Sequence, residues 1–275
     1  MPEGPEIRRA ADRVARAVEG RQAQEVWFGQ PHLAQWGPRL SGRPVEAVGT
    51  LGKAMLIRFG GGHTVYSHNQ LYGRWQVVGR GEMPETGRQL RLAVHGPERS
   101  ALLYSASEIE VIPTEALADH PRIARLGPDP LHASTTPALV AARLGSAPFA
   151  GRRLGGLYLD QGFLAGIGNY LRSEILWLAR VHPDRRPVDL DAARIAALAR
   201  ASVTLPRRSY RSGGVTNVPA AAAALKARGL PRSRWRHFVF GQAGAACPAC
   251  GARVERVEVS GRRMYLCPAC QGAAE

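Results

Sequence analysis

All four cysteines of the chain fall inside one short stretch, CPACGARVERVEVSGRRMYLCPAC, as Cys247, Cys250, Cys267 and Cys270. Two C-x-x-C pairs sixteen residues apart match zinc-ribbon spacing, in which each pair turns back so that four thiolates face one tetrahedral ion. The competing arrangement, two disulfides, suits a secreted chain. The charged start MPEGPEIRR leads into no apolar core of a signal peptide, and no run is long enough to span a bilayer. The expectation is therefore one structural Zn2+ in a cytoplasmic protein that does not enter the membrane. Four protein ligands leave no position for water or substrate, so this metal holds structure. A module this small buries too little apolar surface to fold alone, and zinc supplies its stability.

Between the cysteine pairs, RVERVEV alternates as a strand, SG turns, and RRMYL returns as its partner. Arg262 and Arg263 then lie at a hairpin tip, where a guanidinium can grip a phosphate or simply be solvated. Charge favours a polyanionic partner. The chain carries 37 Lys and Arg against 22 Asp and Glu, a net +15, and from Leu205 onward twelve basic residues face three acidic ones. An arginine-rich compositional habit explains the same numbers, so position has to decide.

Ahead of the finger the hydrophobic period changes once. Ile7, Ala10, Ala11, Val14, Ala17 and Val18 repeat at helical spacing after Pro5, with Gly4 placed to cap and Gly20 to stop the helix. Then come EVWFG, PVEAVGT, AMLIRFG, HTVYSH, RWQVVG, QLRLAVHG and SALLYSA, short runs split by turns. These predict an antiparallel β-sandwich or flattened barrel crossed by one helix. The stretch DHPRIARLGPDPLH reads as a hinge. After it, TPALVAARLGS, LDQGFLAGIGNYLRSEILWLARV and DLDAARIAALARASVTL carry the helical period. In the second of these a helix is expected to stop near Gly166, with Asn169 capping the next. Backbone N–H groups at such a turn can bind phosphate, although a plain helical hairpin is equally allowed. Farther on, SGG is expected to be mobile and AAAAALKA to form a short helix. The domains read as 2–124, a hinge at 125–132, a helical domain at 133–236 and a finger at 237–275.

MPEGPEIRRAAD, GKAML, YSHNQLYGRW, LLYSASEIE, LDQGFLAGIGNYLRSEILW and GRRMYLCPAC, in this order along nearly the whole chain, together resemble the Fpg/Nei DNA glycosylases, and within them the endonuclease VIII branch. The resemblance implies an α+β multidomain fold: an N-terminal β-sandwich with a leading helix, a helix-two-turn-helix domain and a C-terminal β-hairpin zinc finger. It implies a bifunctional glycosylase and AP lyase of base excision repair, acting as a monomer on damaged double-stranded DNA at the nucleoid. Small second residues permit removal of an initiator methionine. Pro2 would then present a secondary amine, the family's nucleophile. The resemblance also assigns Glu3 as acid/base residue, Glu6 as a further carboxylate, and Lys53, Asn169 and Arg262 as phosphate contacts. Gln70, Leu71 and Tyr72 would fill the void left by an extruded base. Without it, Glu3 reads as a helix-start carboxylate, Lys53 as a solvated lysine, and Leu71 with Tyr72 as an apolar turn under a sheet. Oxidised pyrimidines are the expected substrates, with oxidised or ring-opened purines as the alternative. A non-catalytic zinc-finger DNA-binding relative is the rival from another class, though it has no use for Pro2, Glu3 and Lys53 together. The segment from Ser212 to Leu230 matches no loop of the family.

Overall fold

The structure, a computed structural model, describes residues 2–272. Met1, whose removal the Pro2 assignment requires, lies outside them. The chain divides into two compact units, Met1–Arg125 and Leu126–Glu275.

In the first unit, helix α1 (Gly4–Val18) leads into eight strands: β1 (Glu25–Phe28), β2 (Val45–Leu51), β3 (Ala54–Phe59), β4 (His63–His68), β5 (Arg74–Gly79), β6 (Leu90–His95), β7 (Arg99–Tyr104) and β8 (Glu108–Pro113). A short helix, α2 (Trp36–Leu40), interrupts them. The strands form two four-stranded antiparallel sheets, ordered β1-β6-β7-β5 and β2-β3-β4-β8. Ile7, Val14 and Val18 of α1 share a core with Ile57, Phe59 and Val65 of one sheet and Leu92, Val94 and Leu103 of the other. The apolar stripe of α1 is thus buried against a sandwich, as its spacing predicts. Glu3, not Gly4, is the N-cap. The Glu6 carboxylate accepts the Glu3 N–H at 3.0 Å, the reciprocal bond of a capping box, and Gly4 is the first helical residue. Strand β8 was not among the runs read from the sequence. Its buried residues Ile109 and Ile112 are three apart and Pro113 closes it, so it lacks strict alternation and sits at a sheet edge.

The second unit contains α3 (Pro137–Gly145), α4 (Ala147–Ala150), α5 (Leu154–Leu157), α6 (Asn169–Leu178), α7 (Ala192–Ser212), α8 (Pro219–Ala227) and α9 (Arg232–Trp235). The hairpin β9 (Glu255–Val259) and β10 (Arg262–Leu266) follows, then α10 (Pro268–Gln271). The expected helix ending near Gly166 shrinks to α5, and turns run from Leu159 to Gly166. Gly127 explains part of this: its N–H bonds to Gln161 O, and a Cβ there would sit 2.4 Å from Gly162 O, so the segment packs as loop against backbone. Helix α7 continues past its apolar run through Pro206, because Pro206 itself and Ser209 beyond it are buried and tertiary packing offsets proline's cost of about 3 kcal/mol. Gly213 and Gly214, expected to be mobile, instead end α7 with φ of 73° and 94°, and Gly214 N–H bonds to Ser209 O at 2.7 Å.

The finger does not rest on metal alone. Val254, Met264 and Cys267 belong to the same core as Leu171, Ile175 and Trp177 of α6, with Phe238 and Val239 filling the join. Trp177 stacks on Phe238 at 4.5 Å.

Candidate functional site

At the start of α1, Pro2 is half-buried and Glu3 is only 3% exposed. A cavity of about 600 Å³ opens beside them, lined by Pro2 and Glu6 together with Asn69, Leu71, Tyr72 and Arg88. The turn between β4 and β5 therefore comes to the same cavity as the chain's start. Leu71 is 54% and Tyr72 67% exposed, so they are not an apolar turn tucked under a sheet. Two large apolar side chains projecting into water from a turn lose burial energy, and such a cost points to a contact with something else.

The turn is built to hold them out. Gln70 takes a left-handed backbone (φ 50°), its N–H donates to His68 Nδ1 at 3.1 Å, and its Oε1 accepts from Ser107 Oγ at 2.6 Å. Gln70 is not among the residues that line the cavity. Burial lowers the His68 pKa, which Glu108 at 3.5 Å opposes; the neutral ring with Nδ1 as acceptor fits the Gln70 contact. The Tyr72 carbonyl accepts from Arg88 Nη1 at 2.6 Å. Gly73 closes the turn by donating to Asn69 O at 2.7 Å. A Cβ on Gly73 would lie 2.5 Å from that same oxygen. Gly73→Ala is therefore expected to open the turn at a cost on the order of 1–3 kcal/mol and to weaken binding to DNA with an abasic site. Unchanged affinity in a fluorescence-anisotropy titration would show that the turn's shape is irrelevant there. Asn69, Gly73 and Arg88 were not singled out from the sequence. Only the apolar pair inside NQLYG signalled the turn.

Lys53 stands on the two-residue turn joining β2 and β3, after Gly52 with φ 57°. That turn requires a left-handed residue, which is why glycine precedes the lysine. Strand pairing sets Ala54 opposite His68, and the Lys53 charge acts on the His68 ring. Lys53 is not among the residues lining the Pro2 cavity.

In the second unit, Asn169 opens α6 and Gly168 is the cap, contrary to the expected capping role of Asn169. Its side chain is engaged across the fold: Nδ2 donates to Arg263 O at 2.5 Å, and Oδ1 accepts from Arg172 Nη2 at 2.7 Å. Arg172, fully buried, also donates to Gly155 O at 2.7 Å and Val259 O at 3.3 Å. Asn169 and Arg172 thus fasten the start of α6 to both strands of the hairpin that carries Arg262. Arg262 pairs with Val259 across the two-residue Ser260–Gly261 turn and is exposed, at the tip as expected.

Buried Glu174 does similar work one turn along. It accepts from Thr216 Oγ1 and from the N–H groups of Phe238, Val239 and Phe240, all within 2.9 Å. Burial pushes its carboxyl up, and these four donors oppose that shift. The segment leading into the finger is therefore organised by a charge-capable group on α6. Sequence reasoning passed over both Arg172 and Glu174, whose only signal was their charge in an otherwise apolar helix.

The four cysteine sulfurs lie within 4.8 Å of one another. Cys247 and Cys270 are 3.8 Å apart, Cys250 and Cys267 3.5 Å. A tetrahedral ion with bonds of about 2.3 Å needs sulfurs roughly 3.8 Å apart, whereas a disulfide needs about 2.05 Å. The set fits zinc. Trp177 Nε1–H donates to Cys247 Sγ at 3.4 Å, a bond that orients a thiolate ligand.

Comparison with known proteins agrees with this geometry. Residues 1–106 match the formamidopyrimidine-DNA glycosylase N-terminal domain, 126–218 its H2TH domain, and 244–272 the zinc finger found in FPG and IleRS. The chain is 45% identical to Endonuclease 8 of Escherichia coli over 98% of its own length and all of that protein's. The chain belongs to the Fpg/Nei family. Endonuclease 8 of Klebsiella pneumoniae is 44% identical over the same span. Among solved structures, Lactococcus lactis Fpg in complex with DNA containing an oxidised pyrimidine superimposes with a TM-score of 0.81 at 21% identity, covering 99% of this chain and 100% of that one. Membership in the Fpg/Nei family makes the chain a DNA glycosylase with AP lyase activity, built as sandwich, H2TH domain and zinc finger.

Proposed function

We propose that Pro2, once Met1 is removed, is the nucleophile of a glycosylase and lyase acting on oxidised pyrimidines in double-stranded DNA. The observation that carries the reading is the shared cavity of Pro2, Glu6, Leu71 and Tyr72. A nucleophile and an exposed apolar pair converge on one space wide enough for a nucleotide, and the curated relatives named Endonuclease 8 support the choice of branch.

The chemistry follows from the amine. An α-amino group titrates near 8, so an appreciable fraction is neutral at physiological pH, whereas a lysine is almost fully charged. Position adds to this, since the positive end of the fifteen-residue α1 favours a neutral amine at its start. The Pro2 nitrogen attacks C1′, the damaged base leaves with the C1′–N bond pair, and Glu3 protonates the ring oxygen as the sugar opens. A secondary amine yields a cationic iminium without losing another proton. That cation acidifies C2′–H, and loss of this proton expels the 3′ phosphate by β-elimination. A second elimination expels the 5′ phosphate. Glu6, bonded to the Glu3 N–H, fixes the backbone that carries both groups.

Gln70, Leu71 and Tyr72 would occupy the void left by the extruded nucleotide. Filling it repays an unstacking cost of a few kcal/mol. Lys53, Asn169 and Arg262 would each take a backbone phosphate, and Cys247, Cys250, Cys267 and Cys270 would hold one zinc ion that stabilises the hairpin. The proposed acting form is a monomer. Among the described residues no helix is long and apolar enough to cross a membrane, and the proposed place of action is the cytoplasmic nucleoid.

A cleavage panel tests the substrate. Duplexes carrying thymine glycol, dihydrouracil, 8-oxoguanine or a plain abasic site should be cut with the two pyrimidine lesions well ahead of 8-oxoguanine. A preference for 8-oxoguanine would replace the pyrimidine assignment with the purine one. Arg262→Ala should weaken DNA binding and lower the slope of log affinity against log salt by about one, as for a single lost phosphate contact. An unchanged slope removes Arg262 from the interface.

A further inference from the structure

The cavity beside Pro2 does not end at the proposed reaction centre. It continues along α1 through Ala10 to Arg13, and Arg74 at the start of β5 lines it as well. Glu6, Ala10 and Arg13 follow one another at helical spacing on a single stripe, so Arg13 stands about 10 Å along the axis from Glu6.

Positive charge is in excess there, with Glu6 the one carboxylate among the residues lining the cavity. Arg9 and Arg16 of α1 and Arg74 of β5 all act on Arg13 and, after burial, disfavour its charged form; Asp12 alone opposes them. Asp12 is already engaged by Arg8 at 3.1 Å. Among the described residues neither Arg13 nor Arg74 makes a hydrogen bond or an ion pair with a carboxylate. Guanidiniums gathered on an open convex face would be an ordinary solvated patch. Here two of them, from two different elements, line the same concavity as the proposed nucleophile, where the field is focused and an anion is held from two directions.

We infer that Arg13 and Arg74 form a phosphate subsite for the DNA backbone, at the part of the cavity farther along α1 from Pro2 and Glu6. The inference rests on the glycosylase reading of that cavity. The phosphate belongs to the strand whose deoxyribose reaches Pro2, because one continuous groove serves both. Paired guanidiniums suit a phosphodiester, since each offers a fork of N–H donors to two oxygens. The subsite would hold the strand in register while the sugar is attacked, independently of Lys53.

The test uses the full chain and a duplex with a tetrahydrofuran abasic analogue. Wild type, R13A/R74A and R13K/R74K are titrated across a range of KCl. The double alanine variant should lose about two from the salt slope, and the lysine variant should keep most of it. A single neutral methylphosphonate is then walked along the strand carrying the analogue. At one position it should weaken wild type and leave R13A/R74A unaffected. Borohydride trapping on abasic DNA at saturating protein separates the two levels of the argument. If wild type forms no adduct, the glycosylase reading fails and the subsite with it. If wild type is trapped but slope and walk are the same in R13A/R74A, the subsite alone is wrong, and the cluster is a solvated face. An effect only from phosphonates in the complementary strand would likewise overturn the strand assignment.

Discussion

Pro2→Gln will reduce borohydride trapping and strand cleavage to background while leaving folding and zinc content unchanged. The reason is positional. The first turn of α1 is fastened by the Glu6 bond to Glu3 N–H and by the Glu6 and Ile7 N–H bonds to Glu3 O, both 3.1 Å, so the residue before Glu3 has one place to be. A bulky second residue keeps the initiator methionine, which puts the only α-amine one residue outside that place. Pro2→Ala is the informative companion. It keeps a small second residue and an amine at the same point, but a primary one, whose imine must stay protonated to act as the electron sink. Weak, pH-sensitive trapping is expected from it. Full activity in Pro2→Gln would remove Pro2 from the mechanism, and full activity in Pro2→Ala would remove the advantage claimed for a secondary amine.

Cys267→Ser carries the second large effect. Zinc in finger peptides contributes roughly 10–16 kcal/mol to folding, and Cys267 is both a fully buried core residue and one of the four sulfurs. The variant should lose its zinc, lose hydrogen-exchange protection over β9 and β10, and bind DNA poorly, because Arg262 is presented only by that hairpin. The first unit, with its own core, should unfold as before. The structure sharpens this expectation. Met264, Val254 and Phe238 pack the finger onto α6, and Arg172 and Asn169 bond to its strands. Should β10 amides stay protected in the metal-free variant, packing and these bonds would suffice, and zinc would be a lesser support than its spacing suggests.

These two results bear on how much the sequence disclosed. The finger was legible because thiolate geometry imposes a spacing that few other structures need, and the strands on either side of SG alternate cleanly. The leading helix was legible because its apolar stripe is regular. Strand β8 was not, since an edge strand with partly exposed faces has no strict period. The loop from Leu159 to Gly166 was not, because its apolar residues Phe163 and Leu164 are buried from irregular backbone. At the site, residue types pointed to Pro2, Leu71 and Tyr72 once the resemblance was seen. Arg88, which holds the Tyr72 carbonyl, and Arg172 and Glu174, which fasten the zinc hairpin and the segment leading into it, act through backbone carbonyls and N–H groups far away in sequence. Such bonds leave no local pattern. The three partners of Glu174 on 238–240 are more than sixty residues from it.

The central claim is tested most directly by digesting the borohydride-reduced complex with abasic DNA and locating the sugar remnant by mass spectrometry. The account predicts a single adduct, on the nitrogen of a peptide that begins at Pro2. An adduct on Lys53 or any other lysine, or an active enzyme that still carries Met1 or a blocked terminus, would contradict it.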